Sequence, residues 1–245
     1  MQKIHHTIDK IILFLKTIRL TTPTAIVLGS CIIAFGIVGY GFVIKTEASG
    51  DTSSIFTGKP IDEKDYVEGN QKSNVIVVAY SDPECPFCIS VYPTLKQLRE
   101  EYKDTVSFVY RHFPLTQIHP QAFDESRAIA CAGVIGGTKK FYEYIDMLYG
   151  YKADHKTNQL PNTGKDDIAR TTGIPIEKYS ACMSTNQTEN TVYEAINDGI
   201  QAGVQGTPST FILVKKGKKY EVITLVDGAR PYSYFKTALE EALSR

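Results

Sequence analysis

Two of the five cysteines in this 245-residue chain, Cys85 and Cys88, are three positions apart in Tyr80-Ser81-Asp82-Pro83-Glu84-Cys85-Pro86-Phe87-Cys88. Thiols at that spacing can close on each other as a reversible disulfide, hold half of a zinc site, or form a permanent bridge. Zinc needs two further Cys or His ligands at compatible spacing. The other cysteines, Cys31, Cys131 and Cys182, are scattered singly, and the histidines show no paired metal spacing. No metal is therefore expected, and redox chemistry is the leading reading.

The flanking sequence supplies the elements that would position the pair. Val75-Ile76-Val77-Val78-Ala79-Tyr80 is short, continuous and β-branched, the pattern of a strand buried on both faces. After it, Cys88, Val91, Tyr92, Leu95, Leu98 and Tyr102 recur at three- and four-residue steps, while Lys96, Arg99, Glu100 and Glu101 take the opposite face. Pro86 suits a first helical position, which places Cys85 at the helix N-terminus. Free N–H groups and the positive end of the helix dipole there favour a thiolate. Cys88, one turn in, is the more covered, resolving partner. Pro93 is expected to kink the helix. Asp82 and Glu84 oppose the helix by raising the proton affinity of Cys85.

With 27 basic and 27 acidic residues the chain has no net charge, so a nucleic-acid partner is not expected. Residues 1–22 form a basic amino end with Lys3, Lys10, Lys16 and Arg19 against Asp9, and Pro23 to Ile44 carries no charged side chain. The expectation is a cytoplasmic terminus followed by a transmembrane anchor over 23–44, with everything after Lys45 outside the cytoplasm. Lipidation at Cys31 and cleavage near Glu47-Ala48-Ser49 are the competing readings. A linker is expected over 45–60, and a domain from 61 to 245.

Val106 to Phe113 reads as a second strand, closed by Pro114. Helical patterns then occupy Gln121–Val134, stopped by Gly136-Gly137, and Lys139–Tyr149. A polar surface loop is expected from Lys152 to Gly164, then helices near Lys165–Thr172, Ile176–Ser184 and Glu189–Ala202. Strands return at Thr210–Val214 and Tyr220–Val226 around a lysine-rich turn at Gly217, and a helix closes the chain over Tyr232–Leu243. The fold class is α/β, a mixed sheet flanked by helices with a helical insertion over about 116–204.

Strand, Cys85-Pro86-Phe87-Cys88, helix, strand, helical insertion, Gly206-Thr207-Pro208, hairpin and final helix together resemble the thioredoxin superfamily, in its DsbA-like branch. Tyr110-Arg111-His112-Phe113-Pro114-Leu115, Ala130-Cys131-Ala132, Lys140-Phe141-Tyr142 and Gly203-Val204-Gln205 add to the match. The resemblance implies that Pro208 is cis and that the backbone of Thr207 receives an extended substrate peptide. It implies thiol–disulfide exchange with Cys85 as nucleophile, Pro86 and Phe87 as tuning residues, and no cofactor beyond the Cys85–Cys88 disulfide. Unfolded exported proteins would be the substrates, and a DsbB-like or vitamin K epoxide reductase-like membrane protein the reoxidant. Cys131 and Cys182 are expected to pair as a structural bridge, with two free thiols or an electron relay as alternatives. Reductive and isomerising relatives share the fold, and a membrane-tethered peptide-binding chaperone is the rival outside enzymes.

Overall fold

A computed structural model describes residues 54–245, so the expected anchor over 23–44 and Cys31 lie outside the described residues. Among the described residues no helix is long and apolar enough to cross a membrane. In chain order the elements are β1 (Ser54–Ile55), β2 (Val67–Gly69), β3 (Val75–Ser81), α1 (Pro86–Glu101), β4 (Ser107–His112) and α2 (Ala122–Asp154). They continue with α3 (Gly164–Thr171), α4 (Ile176–Met183), α5 (Gln187–Gln201), β5 (Ser209–Lys216), β6 (Lys219–Asp227) and α6 (Tyr232–Leu243).

The six strands form one mixed sheet in the order β1-β6-β5-β3-β4-β2. Every residue of β3 is buried, as its unbroken apolar run predicts. It pairs in parallel with β4 and antiparallel with β5. Its alternate residues feed two cores. Val75, Val77 and Ala79 pack with Val91, Leu95 and Leu98 of α1 and with Phe235, Ala238 and Leu239 of α6. Ile76, Val78 and Tyr80 pack with Phe56, Phe113, Phe211 and Leu213. A third core lies within the helical insertion and reaches Cys85, Cys88 and Tyr92 through Ile145, Leu148 and Tyr149.

The helical insertion differs from its sequence reading in one respect. The two expected helices over 121–149 are present and meet at Gly137, whose φ of 66° and ψ of −163° lie outside the helical region. The second of them continues to Asp154, so Lys152 is not in a surface loop. It is completely buried, because Glu125, also completely buried, supplies its counter-charge at 2.6 Å.

The linker assigned to 45–60 also ends earlier. Ser54 and Ile55 pair with Val222 and Glu221 on the sheet edge, and the buried Phe56 ring packs edge-on against Phe211 at 5.1 Å. Residues 59–65 are held by Arg111, which donates to the Lys59 carbonyl and to Asp65, and pairs with Asp198 of α5. A buried guanidinium with this many acceptors fixes the segment against the sheet.

Candidate active site

β3 ends at Ser81 and hands the chain to a tight turn over 82–85. Asp82 organises that turn. Its Oδ1 accepts the N–H of Glu84 at 2.7 Å and of Cys85 at 3.2 Å, and its Oδ2 accepts the N–H of Leu115 at 2.7 Å and lies 2.7 Å from Nδ1 of His119. Asp82 has no exposed surface, and a buried carboxylate is tolerated only when its lone pairs are met in this way. The sequence reading weighed Asp82 only as a charge opposing the thiolate and missed this role. The Asp-Pro pair at the end of a buried strand was the available signal for a side-chain-capped turn.

Cys85 is the N-cap residue of α1, with φ −69° and ψ 122°, and Pro86 takes the first helical position. The Cys85 carbonyl accepts the first helical bond, from Ile89 N–H at 3.0 Å. Both thiols are buried and free, whereas Phe87 between them is 65% exposed. The hydrogen bond from the Cys88 thiol lowers the Cys85 pKa to about 6, helped by the Cys88 backbone N–H, the Thr207 side chain and the Phe87 N–H; burial acts against them. Cys88 moves the other way. Burial, then the adjacent Cys85, push it well above the ordinary thiol range. A single proton shared by the pair therefore resides on Cys88.

The loop before β5 completes the site. The Thr207–Pro208 peptide is cis, and the Cys85 sulfur lies 3.3 Å from the Thr207 carbonyl oxygen. Behind Cys88, Asp82 N–H points at its sulfur at 3.5 Å. The Tyr149 hydroxyl lies 2.9 Å from Ser81 Oγ and 3.2 Å from the Tyr110 hydroxyl, and its ring stacks on Tyr92 at 4.3 Å. The sequence reading named Tyr149 only as the end of an expected helix, and its hydroxyl function was not legible from that.

Two further clusters bear on the turn. Lys152 Nζ donates to the Pro83 carbonyl at 2.9 Å, and Glu84 Oε2 accepts the N–H of Gln121, the N-cap of α2, at 2.5 Å. The sulfurs of Cys131 in α2 and Cys182 in α4 are bonded to each other, with Cα atoms 5.8 Å apart. Among the described residues no group of three or more His, Cys, Asp or Glu side chains is placed to hold a metal ion.

A family model described as Thioredoxin matches residues 62–240. The chain belongs to the thioredoxin family. Within that family, the catalytic domain of Proteus mirabilis ScsC superposes with a TM-score of 0.60 at 22% identity, over 75% of this chain and 92% of that one. Pseudomonas aeruginosa DsbA2 does so with a TM-score of 0.59 at 23% identity, over 75% and 96%. These neighbours share the DsbA-like form of the thioredoxin fold.

Among curated relatives, Rickettsia prowazekii RP025, named provisionally as a protein-disulfide oxidoreductase, is 32% identical over 66% of this chain and 59% of its own length. An Na(+)/H(+) antiporter NhaA 1 of Mycolicibacterium gilvum is 29% identical over 64% of this chain. The match spans 25% of that antiporter, so its name describes a protein about four times the length of the shared segment.

Proposed function

We propose that the protein is an extracytoplasmic thiol–disulfide oxidoreductase that introduces disulfides into exported, unfolded proteins through Cys85 and Cys88. The observation that carries this reading is the asymmetry of the pair: Cys85 at a helix N-terminus with its pKa lowered to about 6, and Cys88 beneath it with its pKa raised. A substrate thiolate attacks the Cys85 sulfur of the disulfide. The Cys85–Cys88 bond breaks, its electron pair leaves on Cys88, and Cys88 takes up a proton. A second substrate thiolate then attacks the substrate sulfur of the mixed disulfide, and Cys85 leaves as the thiolate that its surroundings favour.

Thr207 presents its backbone beside Cys85 at the cis-Pro208 loop, where an extended peptide can add as a strand. The exposed Phe87 ring offers that peptide an apolar contact. Pro86 and Phe87 tune the pair by fixing which N–H groups reach the Cys85 sulfur. The redox-active disulfide is the only redox group this chemistry requires.

The charge-free run from Pro23 to Ile44 behind a basic terminus supports a membrane anchor with the catalytic domain outside. The Cys131–Cys182 disulfide supports an oxidising compartment. Reoxidation would fall to a DsbB-like or vitamin K epoxide reductase-like membrane partner. A reductive or isomerising direction is the second reading. A Cys85 pKa of about 6 stands nearer the value of about 7 in thioredoxin than the value of about 3.5 in DsbA.

The test is transfer of the Cys85–Cys88 disulfide to a reduced two-cysteine peptide. Appearance of one peptide disulfide per pair reduced supports the reading, and absence of transfer ends it.

A further inference from the structure

A cavity of about 450 Å³ lies between β4, α2, α5 and the segment that precedes β2, and neither cysteine of the redox pair lines it. Tyr110, Arg111 and His112 of β4 form one of its sides. Cavities of this size are in the range that holds small ligands.

β4 has a free edge here because β2 ends early. Val67, Glu68 and Gly69 stand opposite Val109, Phe108 and Ser107, and β2 reaches no further along β4. Backbone groups point to alternate sides along a strand. Phe113, just past β4, donates its N–H to the Ser81 carbonyl, so the odd-numbered residues face β3. The Val106 carbonyl accepts the Asn70 N–H, so the even-numbered residues face outward. The Tyr142 hydroxyl, 3.0 Å from the Phe108 carbonyl and 3.1 Å from the Tyr66 carbonyl, stands where the next rung of the ladder would form. Beyond it, the N–H and C=O of His112 meet no backbone partner on the outer side among the described residues.

The His112 side chain adds a second unmet group at the same place. The residue is only 4% exposed, and its Nδ1 is enclosed without a hydrogen-bond partner. Burial lowers its pKa to about 3, so the ring is neutral and carries one donor and one acceptor nitrogen. Buried polar groups are ordinarily partnered, yet backbone N–H, backbone C=O and imidazole are all left open on this one residue.

The other walls select against charge. Arg111 is held by Asp65 and Asp198, each at 2.8 Å, and Lys64 pairs with Glu194 at the exposed rim. An entering carboxylate would meet two carboxylates around one guanidinium, and an entering ammonium would find both of them taken. Either ion would lose its water with nothing to pair with. The apolar part of the lining is Tyr66, stacked on Phe141 at 4.4 Å, with the half-exposed Val134 beside them.

We infer that the free β4 edge at His112 is a binding site for an uncharged amide carried on a flat apolar group. A primary amide presents an N–H and a C=O along one edge, the complement of the pair that His112 presents. The imidazole supplies a further hydrogen bond, and the aromatic wall covers the apolar part. Two sources share this chemistry: a small-molecule amide, and the backbone of a peptide laid along the edge as a short strand. Neither cysteine takes part, so the site stands or falls independently of the exchange reading.

The test is a magnetic-resonance titration of the full-length protein, labelled with nitrogen-15 at its five histidines. The His112 signals are identified by their loss in H112F. The probes are benzamide and, separately, a capped tripeptide with a central phenylalanine; benzoate and benzylamine are the charged controls. Benzamide should move the His112 amide and ring signals with a dissociation constant on the order of 1 mM, ordinary for a ligand of this size. Both controls should bind at least about tenfold more weakly. Movement with the peptide alone assigns the site to a peptide edge strand, and movement with benzamide alone to a small amide.

Affinity, read from the ligand's own signals, should fall about tenfold in H112F, which keeps an aromatic ring and removes its hydrogen-bonding nitrogens. If H112F does not fold, V134W decides, because Val134 is half exposed and a larger ring there fills the cavity without disturbing the core. Still His112 signals with both amide probes overturn the inference. So does benzoate binding as tightly as benzamide, or an affinity unchanged in the folded variant.

Discussion

The thiol of Cys85 lies 3.3 Å from the carbonyl oxygen of Thr207, across the gap between the first turn of α1 and the cis-Pro208 loop. These residues are more than a hundred positions apart in sequence. The sheet brings them together because β3, which leads to Cys85, pairs directly with β5, which follows Pro208, in a register that sets Tyr80 opposite Ser209. The proposed nucleophile and the proposed peptide-binding backbone are thus carried by adjacent strands.

Exchange should divide sharply between the two cysteines. Cys85→Ser removes the attacked sulfur and should abolish mixed-disulfide formation. Cys88→Ser removes the resolving thiol and should trap substrate on Cys85. Non-reducing gels with a cysteine-containing peptide check both. Normal turnover by either variant contradicts the assignment.

Reactivity and stability should follow the titration of Cys85. Alkylation of the reduced protein at Cys85 should rise through about pH 6 and level off above it, with Cys88 unreactive across the same range. The folded pKa lies below the ordinary thiol value, so the group contributes stability above that ordinary value. This contribution is lost as pH falls through about 6. The oxidised protein lacks this titration. The stability of the reduced form relative to the oxidised form should therefore increase from about pH 6 to about pH 8.5, measured as the difference between two denaturant curves.

Asp82 should matter to stability as well as to the thiols. Asp82→Ala strips acceptors from Glu84, Cys85 and Leu115 N–H groups and from His119. A loss of about 3 kcal/mol is expected in urea unfolding of the oxidised protein. A change within about 0.5 kcal/mol would show that the turn holds itself without this carboxylate.

The Cys131–Cys182 bridge joins α2 to α4 across a sequence separation of 51. On the chain-entropy account its removal by Cys131→Ser with Cys182→Ser should cost about 4 kcal/mol while Cys85 continues to exchange. Loss of exchange at temperatures where the variant is still folded would point to the relay reading of these cysteines.

The parts of this architecture legible in sequence are those written in local pattern. The unbroken apolar run of β3, the three-four stripe of α1 and α6, and Pro86 directly after Cys85 each state their structure within a few residues. The strands β1 and β2, two and three residues long, are too short for any periodicity to show. Lys152 was misread because a buried lysine looks like any other lysine in a polar stretch. Its burial is decided by Glu125, 27 residues earlier in the chain, across the break at Gly137. The same holds for Asp82, whose acceptor role depends on Leu115 and His119 arriving from beyond β4. Non-local charge satisfaction leaves no mark on local composition.

The central claim, that this pair drives disulfides into other proteins, is tested most directly by the reduction potential of Cys85–Cys88, measured against glutathione buffers with the Cys131→Ser/Cys182→Ser protein as control. The account predicts an oxidising couple, between about −120 mV, as for DsbA, and about −180 mV, as for protein disulfide isomerase. A value near the −270 mV of thioredoxin would contradict it and assign the protein a reductive role.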